Sequence, residues 1–349
     1  MSTVLSFTQD ITAFSDRNNR LYKFDSGIIT QIYYQPIKEL DIGRHYICFV
    51  DSKGDIYVQF HDDKEMVAQT YTNIYNSRNL LLVQTASVLR VYDQGVKHVL
   101  TSTSMGFGGS DSLVVWQDKI GGYLKYYYQD EVHEIAMVVG EYYIDPNKIG
   151  PNTFVYKDNA GNNSVLWHGK FYPIFSSNKN AVIDAGQDVV AFNDPQSQTF
   201  AAFDNGFMVD VDEQHALRFH CGDNYIYYQD AAEYHKVYRE EDIMELGFDL
   251  QDIDPYDSLI VFKDVGITKI WYQMEIYQIY NTNVTSYQVD GGIMAYPNQW
   301  GGVSAFVRGK EIEITRSKVE SFELHGNTIK MRMSSSSYWV WWNGKIYEF

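Results

Sequence analysis

Residues 189–212 read VVAFNDPQSQTFAAFDNGFMVDVD. An apolar run, VVAF, stops at Asn193-Asp194. A polar loop leads to a second apolar run, FAAF, which stops at Asp204-Asn205-Gly206, and FMVDVD returns with apolar and polar residues alternating. Short apolar runs bounded by turn residues read as strands. Asn-Gly is the strongest short-range hairpin signal, because a type I′ turn needs positive φ at both central positions. The stretch therefore predicts three consecutive strands, here called A, B and C. HALRFHCGDN, residues 215–224, follows as a weaker strand D that ends in a Gly/Asp/Asn turn cluster.

The same grammar recurs along the whole chain. Strand A ends at Asp16, Asp51, Gln84, Asp118, Asp158, Asp194, Asp230, Asp264, Asn298 and Ser334, at spacings of 33 to 40 residues. A hairpin glycine keeps phase at Gly27, Gly95, Gly169, Gly206, Gly309 and Gly344. WHGK at 167–170 and WWNGK at 341–345 share an aromatic–polar look at this turn. A third marker precedes each new unit, as in IGPN at 149–152, AGQD at 185–188, VDGG at 289–292 and HGN at 325–327. Repeats of this length mean a stacked array of one supersecondary unit. The Asp that ends strand A is read as a turn closer, its carboxylate accepting the backbone N–H two residues on. No cofactor is expected. Calcium held by stacked loop aspartates is the rival, and no loop matches the calcium-loop template.

The last unit, TIKMRMS, SYWVWW and KIYEF, supplies A, B and C but nothing after them, while STVLSFTQ at 2–9 precedes the first A as a spare strand-like segment. A circular array would use residues 2–9 as the D strand of the last unit. Period, turn chemistry and this closure together resemble the β-propeller superfamily across the whole chain. The repeated Trp-Asp dipeptide, the sialidase Asp box and the Kelch double glycine are absent as recurring features, so no functional family within it is singled out. The resemblance implies an all-β fold of about ten compact four-stranded blades in a single domain over residues 1–349, closed by the N-terminal strand completing the last blade. Two five-bladed rings are the alternative grouping. The unbroken phase and the lack of any linker or charge block favour one.

Several units depart from the pattern. The longest spacing, 40 residues, holds EIAMVVGEYYIDPNKIGPN at 134–152. Insertions on a repeat scaffold often form the binding face, which makes Tyr142, Tyr143 and Asp145 binding candidates, with packing across the blade as the plainer reading. Residues 223–257 carry eleven carboxylates against Lys236 and Arg239. Glu240, Glu241, Asp242 and Glu245 are the core of this acidic stretch, a solvated face or a docking patch for a basic partner. Trp300, in QWGG between strands A and B, is a candidate stacking platform.

Composition narrows the function. The 349 residues are 45% hydrophobic and 16% aromatic, with 29 Tyr, 19 Phe and 7 Trp, which suits sheet. A net charge of −17 disfavours nucleic acid as a partner. Cys48 and Cys221 lack metal-site spacing. The nine histidines form no HExxH pair, and there is no phosphate loop, dinucleotide fingerprint or G-x-S-x-G. MSTVLSFTQD has no basic stretch and no long apolar core, and no window approaches 18 uncharged apolar residues. The chain is therefore expected without membrane insertion, in the cytoplasm or within a larger assembly, with secretion by another route left open. The first functional expectation is a non-catalytic scaffold that docks a protein partner by charge and aromatic anchors. A carbohydrate-binding propeller is the second. A glycan hydrolase or lyase with carboxylates in a central cleft is the third.

Overall fold

A computed structural model describes residues 10–69, 73–176, 181–280, 284–335 and 337–349. Every predicted A strand is present: Ile11–Ser15, Tyr46–Asp51, Leu80–Thr85, Leu113–Asp118, Thr153–Lys157, Val189–Asn193, Ile226–Gln229, Ile260–Asp264, Ile293–Pro297 and Thr328–Ser334. Each belongs to its own antiparallel sheet. Among the described residues there are ten such sheets, eight of four strands and two of three. The second blade shows the order: Ile37–Ile42, Tyr46–Asp51, Ile56–Phe60 and Asp63–Ala68 lie side by side as D, A, B and C. The A strand YICFVD is buried along its full length, whereas DKEMVA is exposed over its first four residues. Burial on both faces explains why A strands read as continuous apolar runs.

The turn-closing role of the A-strand Asp holds in six loops. Asp51 Oδ1 accepts from Lys53 N at 2.8 Å and from Asp55 N at 3.0 Å. Asp16, Asp158 and Asp230 likewise take the amides two and four residues on, and Asn298 does so with Trp300 and Gly302. Asp194 takes the amide of Gln196. One side-chain oxygen thus satisfies amides that a buried loop end would otherwise orphan.

The B–C pairing carries a register shift at the same place in seven blades. The extra residue is Ile32, Val67, Ile135, Ile174, Val211, Leu246 or Ile314. Five of these, all but Ile135 and Ile174, are buried. A bulge re-aims one side chain of a strand, and here it turns an apolar residue of the exposed C strand into the core.

Blade membership differs from the sequence expectation in one respect. Strand D pairs with the A strand that follows it, as Ile37–Ile42 pairs with Tyr46–Asp51. The D–A turn folds back on itself, with Gly43 N donating to Tyr46 O at 2.9 Å, and the two strands it joins continue as an antiparallel ladder. The last blade is therefore complete from C-terminal residues, Ser321–His325 with Thr328–Ser334, Ser337–Trp342 and Lys345–Glu348. It needs no strand from residues 2–9, which lie outside the described residues.

The chain forms two compact units, one of residues 1–99 with 283–349 and one of 100–282. In the first, the N- and C-terminal blades pack together. Thr328 Oγ1 donates to Ile11 O at 3.3 Å, and Lys330 Nζ donates to Ala13 O at 3.0 Å. Phe14 stacks on Phe349 and Tyr338 at ring separations of 5.4 and 5.2 Å. An ion pair of 3.2 Å joins Arg78 before the third A strand to Asp290 before the ninth. In the second unit, successive blades share apolar cores, as where Val189 and Phe200 meet Ile226 and Tyr228. The fifth blade of the chain, which lies in this unit, has no D strand among the described residues. The insertion takes its place: Ile149 bridges to Phe154, and the Tyr142 hydroxyl accepts the edge amide of Lys157 at 3.2 Å.

Candidate ligand-binding cleft

The first unit holds a cleft of about 260 Å³ lined by Ile293, Val307 and Arg308 of the ninth blade, by Asn327, Trp341, Trp342 and Asn343 of the tenth, and by Asp10 before the first. Its walls are hairpin tips. Asn343-Gly344 joins strands B and C with φ of 48° and 78°, the type I′ turn that Asn-Gly encodes. Arg308-Gly309 does the same in the ninth blade, with Arg308 at φ 46°. The Arg308 amide donates to Gly292 O at 3.2 Å, which ties this turn to the D–A turn of its own blade. Trp341 forms part of the buried floor, Trp342 is half-buried, and Arg308 and Asn343 stand exposed at the mouth.

A polar relay crosses the cleft. Arg308 Nη2 donates to Asn327 Oδ1 at 3.0 Å, and Asn327 Nδ2 donates to Asp10 Oδ1 at 3.2 Å. The two bonds fix the carboxamide, oxygen toward the cation and nitrogen toward the anion. Gly326 N is held by Asp290 Oδ2 at 2.7 Å, so the turn that carries Asn327 is itself anchored. Arg308 makes no ion pair among the described residues. In a chain of net charge −17, this guanidinium is bound among the described residues to a neutral amide alone.

The second unit contains the equivalent junction, and there it is filled. Asn152 Nδ2 donates to Asp188 Oδ1 at 3.0 Å, as Asn327 does to Asp10. The Trp167 indole N–H closes on the same carboxylate oxygen at 2.9 Å, and His168 stands 3.5 Å from it. The Tyr128 hydroxyl reaches His168 Nδ1 at 2.8 Å. Trp342, the counterpart of Trp167, makes no indole hydrogen bond among the described residues. The likeness of WHGK to WWNGK was the signal in the sequence. The difference between a filled and an open junction was not visible there.

The other candidates lie elsewhere. Tyr142 is a strut: its amide donates to Gln117 Oε1 at 2.8 Å, its ring packs in the core between the fourth and fifth blades, and burial pushes its hydroxyl pKa up. Tyr143 is exposed, and Asp145 caps the short 3-10 turn Pro146–Lys148 through Asn147 N at 3.1 Å. Glu240 and Glu241 form the hairpin tip of the seventh blade, at φ 51° and 70°. Asp242 and Glu245 follow on its C strand, three residues apart and so on opposite faces. Trp300 is 55% exposed, with the Arg316 guanidinium 5.6 Å from its ring centre and Arg316 in turn paired to Glu313 at 2.7 Å. None of these residues lines the cleft. No group of three or more His, Cys, Asp or Glu side chains is placed to share a metal ion among the described residues, and no helix there is long and apolar enough to cross a membrane.

Ten sheets repeated in phase, eight of D–A–B–C order and two of A–B–C order among the described residues, define a β-propeller of the all-β class. The ten-bladed β-propeller domain model matches residues 5–347, and the chain belongs to that family. No curated protein matches it. Among solved structures it is similar to the computationally designed Ika8 protein, at 11% identity over 96% of this chain and 99% of that one, with a TM-score of 0.34. It is also similar to PorZ, a bacterial surface component of the type-IX secretion system of Porphyromonas gingivalis, at 9% identity and a TM-score of 0.25. That match covers all of this chain and 60% of PorZ.

Proposed function

We propose that this protein is a non-catalytic binding module that takes a glycan in the cleft over its tenth blade. The observation that carries the reading is the open junction itself. Its equivalent in the second unit is closed by Trp167, His168 and Tyr128, whereas Trp342, Asn343 and Arg308 leave theirs open with hydrogen-bonding groups turned inward. Sites of this kind combine apolar walls with a few placed polar groups that fix orientation. Indole faces suit the apolar side of a sugar ring, and carboxamide, guanidinium and carboxylate suit its hydroxyls. The test is a glycan array probed with the intact chain and with Asn343→Trp, which fills the cleft from an exposed turn. Retention of glycans by the wild type and loss by the variant, with the melting temperature lowered by no more than about 2–4 °C by the strained turn, is the expected result. Capture that survives the filled cleft, or no capture at all, refutes the reading.

A second reading, protein docking, rests on the outer strands of the second unit. Val132, Phe171, Met208, Ile243 and Ile276 occupy one register position on five successive C strands and are 41 to 49% exposed. Glu245 shares the face of Ile243, and Glu240 and Glu241 form the adjoining hairpin tip, which would give a basic partner both charge and apolar contact. Neutralising these carboxylates together with Asp242 is expected to weaken pull-down of such a partner without lowering the melting temperature. Unchanged capture removes the acidic stretch from the docking surface.

A further inference from the structure

Resting on the reading of the cleft as a glycan site, we propose that its ligand is an acidic sugar residue, a pyranose ring that carries a carboxylate. Arg308 is the first ground. Its guanidinium stands at the mouth, held by one hydrogen bond to the Asn327 carboxamide and by no carboxylate among the described residues. A guanidinium presents a planar fork of donors that matches a carboxylate, and a charge-assisted pair of this kind is about twice as strong as a neutral hydrogen bond. A neutral sugar would leave that cation matched only by hydroxyls.

Asp10 is the second ground, and it sets an upper limit on the ligand's charge. Its carboxylate lines the same cleft and accepts from Asn327 at 3.2 Å, so the site carries one cation and one anion. Phosphate dianions and multiply sulfated chains would meet Asp10 and the overall charge of −17. A monoanion whose remaining groups are hydroxyl donors meets both ends of the relay: its carboxylate at Arg308, and its hydroxyls at Asp10 and Asn343. The half-buried indole of Trp342 is left for the apolar ring face. At about 260 Å³ the cleft is also smaller than pockets for drug-sized ligands, which begin near roughly 300 Å³, and so suits a single ring or the end of a chain.

The test is ligand-observed saturation-transfer NMR on the full chain, with D-galacturonic and D-glucuronic acid against D-galactose and D-glucose, in low and moderate salt. Transfer to the uronic acids, affinity at least about tenfold above the neutral sugars, and weakening with salt are expected. Arg308→Gln should lower the ratio of uronic-acid to neutral-sugar affinity by about tenfold, with Arg308→Lys between the two. Equal binding of acidic and neutral sugars, or a preference untouched in Arg308→Gln, overturns the acidic-sugar proposal while leaving the cleft as a glycan site. Failure of all four sugars to bind overturns it too. The glycan array then separates the cases, since capture of other glycans that Asn343→Trp abolishes preserves the glycan reading, and an empty array removes both.

Discussion

Replacement of Lys330 by Met is expected to lower the stability of the first unit by about 2–4 kcal/mol and to loosen the joint between the chain's two ends. The Lys330 side chain is 8% exposed, yet it carries a charge. Its ammonium donates to Ala13 O at 3.0 Å and pairs with Glu323 at 2.7 Å. Met fills a similar volume but satisfies neither partner. It leaves a buried carbonyl of the first blade without this donor and a half-exposed carboxylate without its cation. A hydrogen bond from His325, reinforced by Lys330 against the upward pull of burial, holds the Glu323 carboxyl down to about 2. Its folded-state value lies below the unfolded one near 4.3, so its contribution is complete above that pH and is lost as pH falls toward 2. Lys330→Met should therefore flatten the dependence of stability on pH across that window. Urea melts at pH 2.5 and 6, with hydrogen exchange at residues 11–15 and 337–342, check both parts. An unchanged melt with full protection of those strands would show that the aromatic stack of Phe14, Tyr338 and Phe349 holds the joint unaided.

Asp51→Ala should cost about 3–5 kcal/mol, and Asp51→Asn only about 1 kcal/mol. The Asp51 side chain is buried. It takes two loop amides on one oxygen and the Tyr33 hydroxyl at 2.9 Å on the other. Alanine strands all three donors. Asparagine keeps the oxygen that closes the loop, as Asn298 does at the same position of the ninth blade, and the Tyr33 hydroxyl can rotate to accept from its amide. Burial acts to raise the Asp51 carboxyl, but donors from Asp55, Tyr33 and Lys53 outweigh it and hold the group below the usual carboxylate range. Its contribution is present above pH near 3.9 and is lost as pH falls through the folded-state value. Asp51→Asn should remove that share of acid sensitivity. Thermal melts from pH 2 to 6 on the two variants test this, and equal losses for Ala and Asn would sink the hydrogen-bond account.

Much of the blade pattern was legible because the signals that make a blade are local. Burial on both faces writes an unbroken apolar run. The loop amides call for Asp or Asn at its end, and a type I′ turn calls for Asn-Gly or its relatives. Residues 189–212 hold all three, and the ten A strands fall where those signals place them. The bulged residues, among them Val211 and Ile314, were not legible. They look like ordinary members of an alternating outer strand, and only the pairing register turns them inward. The side on which strand D pairs was likewise decided by the ladder it joins, since the connections on its two sides are equally short in the second blade.

The cleft was the least legible feature. Arg308, Asn327 and Asp10 lie on three different blades, with more than three hundred residues of chain between the first and the last. Local rules give each a sufficient reason to be where it is, as a hairpin tip or a turn residue. Charge on its own pointed instead to Glu240 and its neighbours, whose clustering in sequence does not survive the alternation of a strand. The sequence by itself determined the repeat, the strands and the turns, because each depends on contacts within a few residues. Only the tertiary structure decided which turns meet across blades, because the packing of one blade against the next is what brings a guanidinium, a carboxamide and a carboxylate from distant segments within hydrogen-bond reach.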